Sequence, residues 1–129
     1  MSINLGLKMK NKKKIVIGII GLGYVGLPLA IEFSKKFETI GFDISKKRIN
    51  ELNNKLDSNN QISVKQMKNN NACFTYNDKI LRKVNFFIIT VPSPVYKNNL
   101  PNNTKIRNAA ITISKYLKKE DIIVLESTV

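Results

Sequence analysis

Gly21, Gly23 and Gly26 stand in the run Gly-Leu-Gly-Tyr-Val-Gly, directly after the apolar stretch 15–20, and Asp43 lies seventeen residues beyond Gly26. These residue types at this spacing suit the capture of a dinucleotide. The first glycine permits a tight turn, the second lets backbone approach a pyrophosphate, and the third lets a helix pack on a strand. The amides of Leu22, Gly23, Tyr24 and Val25 are the candidate diphosphate donors, and the Asp43 carboxylate is the candidate partner of the adenosine ribose hydroxyls. A carboxylate there repels a 2′-phosphate, which favours NAD over NADP, while Lys46, Lys47 and Arg48 partly offset that repulsion. A glycine pattern alone is weak. Its weight comes from a strand before it, a helical pattern after it, and an acid closing the next apolar segment.

The elements that must hold these residues can be read from periodicity. Residues 15–20 are too short and too β-branched for an amphipathic helix, and they suit a central parallel strand buried on both faces. Val25, Leu29, Ile31, Phe33 and Phe37 give a helical face running to about Lys36, with Pro28 removing an amide near its first turn and set to shift or distort the start. Residues 39–43 read as a second strand. Ser45 is a candidate N-cap for a helix carrying Ile49, Leu52 and Leu56 on one side. The stretch 57–71 is polar and irregular, with room for a short helical or extended excursion. Strands are expected at 72–76 and 84–91, with one helical turn at 78–83 between them. Pro92 and Pro94 force the chain out of the sheet. A helix is expected to begin near Asn103 or Thr104, and a last strand covers 121–126. This alternation implies right-handed crossovers and a Rossmann-type, doubly wound, mostly parallel α/β sheet, with strand one beside strand four at the switch point where ligands bind.

Composition bounds the rest. With 129 residues, 43% of them hydrophobic, the chain can bury one core, so a single domain is expected at 15–129, somewhat short for two complete nucleotide-binding halves. Residues 1–14 are basic and polar, without the apolar segment of a signal peptide, and are expected to be a disordered lead-in to a cytoplasmic protein. The net charge of +13 would attract polyanions, but lysine supplies nearly all of it, with arginine only at Arg48, Arg82 and Arg107. Together with abundant asparagine, this reads as compositional bias rather than as a nucleic-acid or membrane surface. No aromatic-interleaved basic motif accompanies it. Cys73 is the lone cysteine and histidine is absent, which leaves no disulfide framework and no credible transition-metal site. Cys73 is expected to be a packed core thiol, with no helix N-terminus nearby to activate it.

The segment Ile19-Ile20-Gly21-Leu22-Gly23-Tyr24-Val25-Gly26-Leu27-Pro28-Leu29-Ala30, with Val91-Pro92-Ser93-Pro94 and Leu125-Glu126-Ser127-Thr128-Val129, resembles the amino-terminal domain of the UDP-glucose/GDP-mannose dehydrogenase family. Within that family it looks most like the bacterial UDP-N-acetylhexosamine 6-dehydrogenases of capsule and O-antigen synthesis. The resemblance implies oxidation of a UDP-sugar C6 hydroxyl to a uronic acid with two NAD⁺, through an aldehyde and a thioester on a cysteine that lies far downstream in the family. It implies that Val91, Pro92, Ser93 and Pro94 wall the cofactor and that the Thr128 hydroxyl lies near the nicotinamide. It also implies that this chain is roughly the first third of such an enzyme, without turnover of its own, and that full-length relatives pair as homodimers. Two positions depart from the family pattern: Ser93 replaces a usual Thr, and Asn102 replaces a usual Asp, which is expected to loosen a helix N-terminus. A β-hydroxyacid-type dehydrogenase fragment shares the glycine turn but fits Tyr24-Val25-Gly26-Leu27-Pro28 poorly. A non-catalytic NAD-binding module would share all of the cofactor residues.

Overall fold

All five residues of strand β1 (Val16–Ile20) are buried, so this strand needs neighbours on both edges and helices on both faces. A computed structural model of the protein supplies both, and it describes residues 13–92 and 96–126. Nearly all of the basic lead-in, together with Ser93, Pro94 and Thr128, lies outside the described residues.

In chain order, β1 is followed by α1 (Gly26–Ser34), β2 (Glu38–Phe42), α2 (Lys46–Asn53), α3 (Val64–Lys68) and β3 (Cys73–Thr75). A 3-10 helix (Asp78–Lys83), β4 (Phe86–Ile89), α4 (Thr104–Ser114) and β5 (Ile122–Leu125) complete it. The five strands form one sheet in the order β3-β2-β1-β4-β5. Every pairing is parallel, with β1 aligned on β2 from Val16↔Glu38 and on β4 from Ile17↔Phe86. The expected switch between strands one and four is therefore present, and loops leaving the two strands in opposite directions open a crevice at their carboxyl ends.

Period-two alternation sends successive side chains to two separate cores. Ile17, Ile19 and Ile88 meet Leu27 and Ile31 of α1, Leu52 of α2 and Met67 of α3 on one face. Val16, Ile20 and Phe87 meet Leu81 of the 3-10 helix and Ala109 and Ile113 of α4 on the other. Each fully buried aliphatic side chain contributes about 1.5–3 kcal/mol of transfer free energy, so both helical layers are held mainly by such contacts.

Local chemistry explains where the elements stop. Pro28 occupies the third residue of α1, where its missing N–H is one that the helix leaves unpaired, and the helix begins at Gly26. The α2 helix ends at Asn53 because Lys55 turns to φ 63°, so Leu56 leaves the expected apolar side and is 54% exposed. The irregular stretch resolves around α3, which has a reciprocal capping box between Ser63 and Gln66. Asn85 ends the 84–91 run early at its start: its side chain accepts from Val16 N–H at 2.9 Å and donates to the Lys14 carbonyl at 2.7 Å. Cys73 corrects the expectation of a core thiol. It is exposed, because β3 is an edge strand whose inward residue is Phe74, and alternation turns the thiol away. At the start of α4 the Asn102 side-chain oxygen accepts the Thr104 N–H at 3.0 Å, while the capping residue Asn103 makes no side-chain bond to the helix.

Candidate functional site

The turn between β1 and α1 is fixed by backbone bonds that only its glycines permit. Gly21 sits at φ +105°, its N–H donates to the Phe42 carbonyl at 2.8 Å, and a Cβ there would lie 2.9 Å from the Val91 backbone nitrogen. Gly26 begins α1 in direct contact with the Gly21 carbonyl, leaving no space for any side chain. The buried Thr90 hydroxyl donates to that same carbonyl at 2.6 Å and pins the turn to the end of β4. Gly23 is different. It has no positive φ, and a Cβ built on it meets nothing within 4 Å. Among the described residues, nothing requires glycine at this position.

Beside the turn lies a cavity of about 340 Å³. Gly21, Leu22, Gly23, Asp43 and Arg48 line one side, and Val91, Pro92, Lys105, Asn108 and Thr112 line the other. The amides of Gly23, Tyr24 and Val25 donate to no other described residue, and Val25, which caps α1, has no side-chain bond of its own. A helix start with free N–H groups next to a groove is an anion site in waiting. Here the open Gly23 and the Asp43 carboxylate beside the turn suit a diphosphate joined to a ribose, so the residues present fit the adenosine diphosphate half of a dinucleotide.

Asp43 links the two halves of this arrangement. Its Oδ2 accepts the Leu22 N–H and its Oδ1 accepts the Ser45 N–H, both at 2.9 Å. The α2 cap is Ser45, whose hydroxyl accepts the Arg48 N–H at 3.1 Å, so Asp43 is not the helix cap. A carboxylate oxygen accepts more than one bond, and both retain capacity for ribose hydroxyls. The Leu22 amide is thus committed to Asp43, which leaves Gly23, Tyr24 and Val25 as the open donors. Of the other sequence candidates, Val91 and Pro92 are in the cavity wall, whereas Ser93, Pro94 and Thr128 lie outside the described residues.

Thr90, Asp57 and Arg48 hold this site without having been marked as its supports by sequence. The Arg48 side chain, 11% exposed, donates from Nε to the Leu22 carbonyl at 2.8 Å and from Nη1 to Asp57 at 2.9 Å. Asp57 is fully enclosed and also accepts N–H bonds from Asn59, Gln61 and Ile62. Burial pushes the Asp57 carboxyl up, but the Arg48 guanidinium and the three amides outweigh it and hold the group below the usual aspartate range. Stability from a depressed carboxyl is present above the unfolded pKa and is lost as pH falls through the folded one. Asp57→Asn is therefore expected to cost about 3–5 kcal/mol at pH 7. The gap to the unsubstituted chain should begin to narrow as pH falls below about 4, near the unfolded aspartate value, and close as pH passes through the lower folded one, as denaturant titrations at several pH values would show.

A parallel doubly wound sheet with a glycine turn, an acid at the end of β2 and a cavity at the switch point defines a Rossmann-type dinucleotide-binding domain. Residues 15–129 match the UDP-glucose/GDP-mannose dehydrogenase family, NAD binding domain, and the chain belongs to that family. The chain is 44% identical over 118 residues to a UDP-N-acetyl-D-glucosamine 6-dehydrogenase of Pseudomonas aeruginosa, covering 91% of this chain and 28% of that protein. It is 43% identical to Protein CapL of Staphylococcus aureus, over 88% of this chain and 27% of that one. Among solved structures, a UDP-D-ManNAc dehydrogenase of Pyrococcus horikoshii superimposes with a TM-score of 0.81 at 26% identity, covering 89% of this chain and 29% of the other. The chain thus spans little more than a quarter of the length of these relatives. The family is one of NAD-dependent oxidoreductases acting on CH–OH groups, and the domain matched here is its NAD-binding domain. Among the described residues, no helix is long and apolar enough to cross a membrane.

Proposed function

We propose that this chain is the cofactor-binding portion of a cytoplasmic nucleotide-sugar 6-dehydrogenase that oxidises the C6 hydroxyl of a UDP-N-acetylhexosamine to a uronic acid for surface polysaccharide synthesis. The observation that carries this reading is the open space at Gly23 beside amides that have no partner among the described residues and beside the Asp43 carboxylate. The 6-dehydrogenase class and the N-acetylhexosamine substrate rest on similarity to relatives that bear those names.

In this reading the amides of Gly23, Tyr24 and Val25 hold the diphosphate, and the positive end of α1 adds to their attraction. Asp43 accepts from the adenosine ribose hydroxyls while keeping Leu22 in place. Val91, Pro92, Ser93 and Pro94 wall the cofactor, and the Thr128 hydroxyl stands near the nicotinamide to position attacking water. Bound NAD⁺ supplies the hydride acceptor for each of two oxidations. The UDP-sugar, the thiol nucleophile and the contact between paired copies fall to regions corresponding to the remainder of the relatives.

Titrating the purified chain with NAD⁺ by calorimetry is expected to give saturable binding. Asp43→Ala should weaken it at least about tenfold, the loss of one charge-assisted pair of hydrogen bonds. Absence of saturable NAD⁺ binding to the folded chain would overturn the reading. NAD⁺ reduction dependent on UDP-N-acetylglucosamine by this chain fused to the remaining regions of its Pseudomonas relative tests the substrate class.

A further inference from the structure

Arg48 is an arginine in the right place for a 2′-phosphate, and its charge is already taken. Five residues beyond Asp43 and lining the same cavity, it would be a suitable partner for the extra phosphate of NADP. Its Nη1, however, donates to Glu51 at 2.6 Å as well as to Asp57, and its Nε is committed to Leu22. Glu51 is 18% exposed and is itself anchored by the Ser58 N–H. That amide, with Arg48, draws the Glu51 carboxyl below its usual range, so both acids are ionised at neutral pH. The remaining nitrogen, Nη2, is buried without a hydrogen-bond partner among the described residues.

The charge sum follows directly. One guanidinium and two carboxylates leave a net −1, and Asp43 brings the group to −2, facing a phosphate that carries nearly two negative charges at neutral pH. Of the lysines nearby, the Lys46 ammonium lies over the Tyr76 ring, 5.4 Å from its centroid, and Lys105 reaches the cavity from α4, whereas Arg48 stands on the same element as Lys46 and is the cation closest in sequence to Asp43 that lines the cavity.

We propose that Glu51 and Asp57 determine cofactor choice: by binding and neutralising Arg48 they turn it into a strut for the Leu22 turn and deny it to a 2′-phosphate. Discrimination against NADP is then shared by three carboxylates and does not rest on Asp43 alone. The proposal depends on the reading that the adenosine ribose lies at Asp43.

The test is the ratio of the NADP⁺ to the NAD⁺ dissociation constant, measured on each variant so that general loosening of the fold cancels. Glu51→Gln keeps the side-chain shape and removes the charge. It is expected to lower the ratio about tenfold at low ionic strength, with the effect shrinking in 1 M salt as the Debye length falls to about 3 Å. Asp43→Asn alone should leave NADP⁺ disfavoured, and the double variant should lower the ratio by more than about a hundredfold. An unchanged ratio in Glu51→Gln, or complete loss of NAD⁺ preference in Asp43→Asn alone, would overturn the proposal. The second criterion applies even if Glu51→Gln fails to fold. Failure of the unsubstituted chain to bind NAD⁺ would instead refute the cofactor site itself, and with it this inference.

Discussion

Gly26→Ala is expected to lower the unfolding free energy by more than about 4 kcal/mol, at the upper end of what single substitutions do. A methyl group at this position overlaps the Gly21 carbonyl oxygen and lies 2.6 Å from the Thr90 hydroxyl. Neither neighbour can yield cheaply. Gly21 is held through its N–H by Phe42 and through its carbonyl by Thr90, and its φ of +105° leaves few alternative conformations. The strain must be relieved by moving α1 away from β1, which opens the contacts of Leu27, Ala30 and Ile31 with the sheet. Domains of this size have about 5–15 kcal/mol of stability in total, so the variant should be mostly unfolded at modest denaturant concentrations. Urea titration followed by far-ultraviolet dichroism checks this. A loss under about 1 kcal/mol would show that the helix does not press on the turn as described.

The same contrast explains how far the sequence could be read. Strands buried on both faces announce themselves as continuous apolar runs, so β1 and β4 and their adjacency at the switch point were legible without coordinates. The glycine turn was legible because two backbone demands, at Gly21 and Gly26, and one open position, at Gly23, coincide within six residues. What escaped was tertiary. With Lys46 and Lys47, Arg48 was expected to offset part of the Asp43 repulsion, yet its partners Leu22 and Asp57 are 26 and 9 residues away in sequence, and no local pattern reports such pairing. Thr90 looked like one more strand residue, and its bond to Gly21 spans 69 positions. Cys73 was assigned to the core because apolar neighbours flank it, but which face of an edge strand is covered depends on the helices packed there. Leu56 failed for a local reason, since the backbone reversal at Lys55 carries no glycine to mark it.

Gly23→Ala is expected to leave stability unchanged or slightly raised while weakening NAD⁺ binding at least about a hundredfold, a separation that Gly26→Ala cannot show. Stability is spared because, beyond its chain neighbours, the added methyl meets no atom of the described residues within 4 Å and the residue has no positive φ to strain. Replacing glycine at a compatible site also restricts the unfolded chain, which favours folding by about 0.4–1 kcal/mol. Binding suffers because charge-assisted N–H···O bonds to a phosphate require about 2.7–2.9 Å between heavy atoms, and a methyl on the turn holds the diphosphate away from the amides of Gly23, Tyr24 and Val25. Losing one or two such bonds, each worth about 1.5–3 kcal/mol, produces an effect of that size. Thermal melting and NAD⁺ calorimetry on the same preparation separate the two quantities. If the alanine variant binds NAD⁺ as tightly as the unsubstituted chain, the diphosphate does not lie on this turn. If it instead loses stability, Gly23 serves the fold, and the open space beside it has no bearing on cofactor recognition.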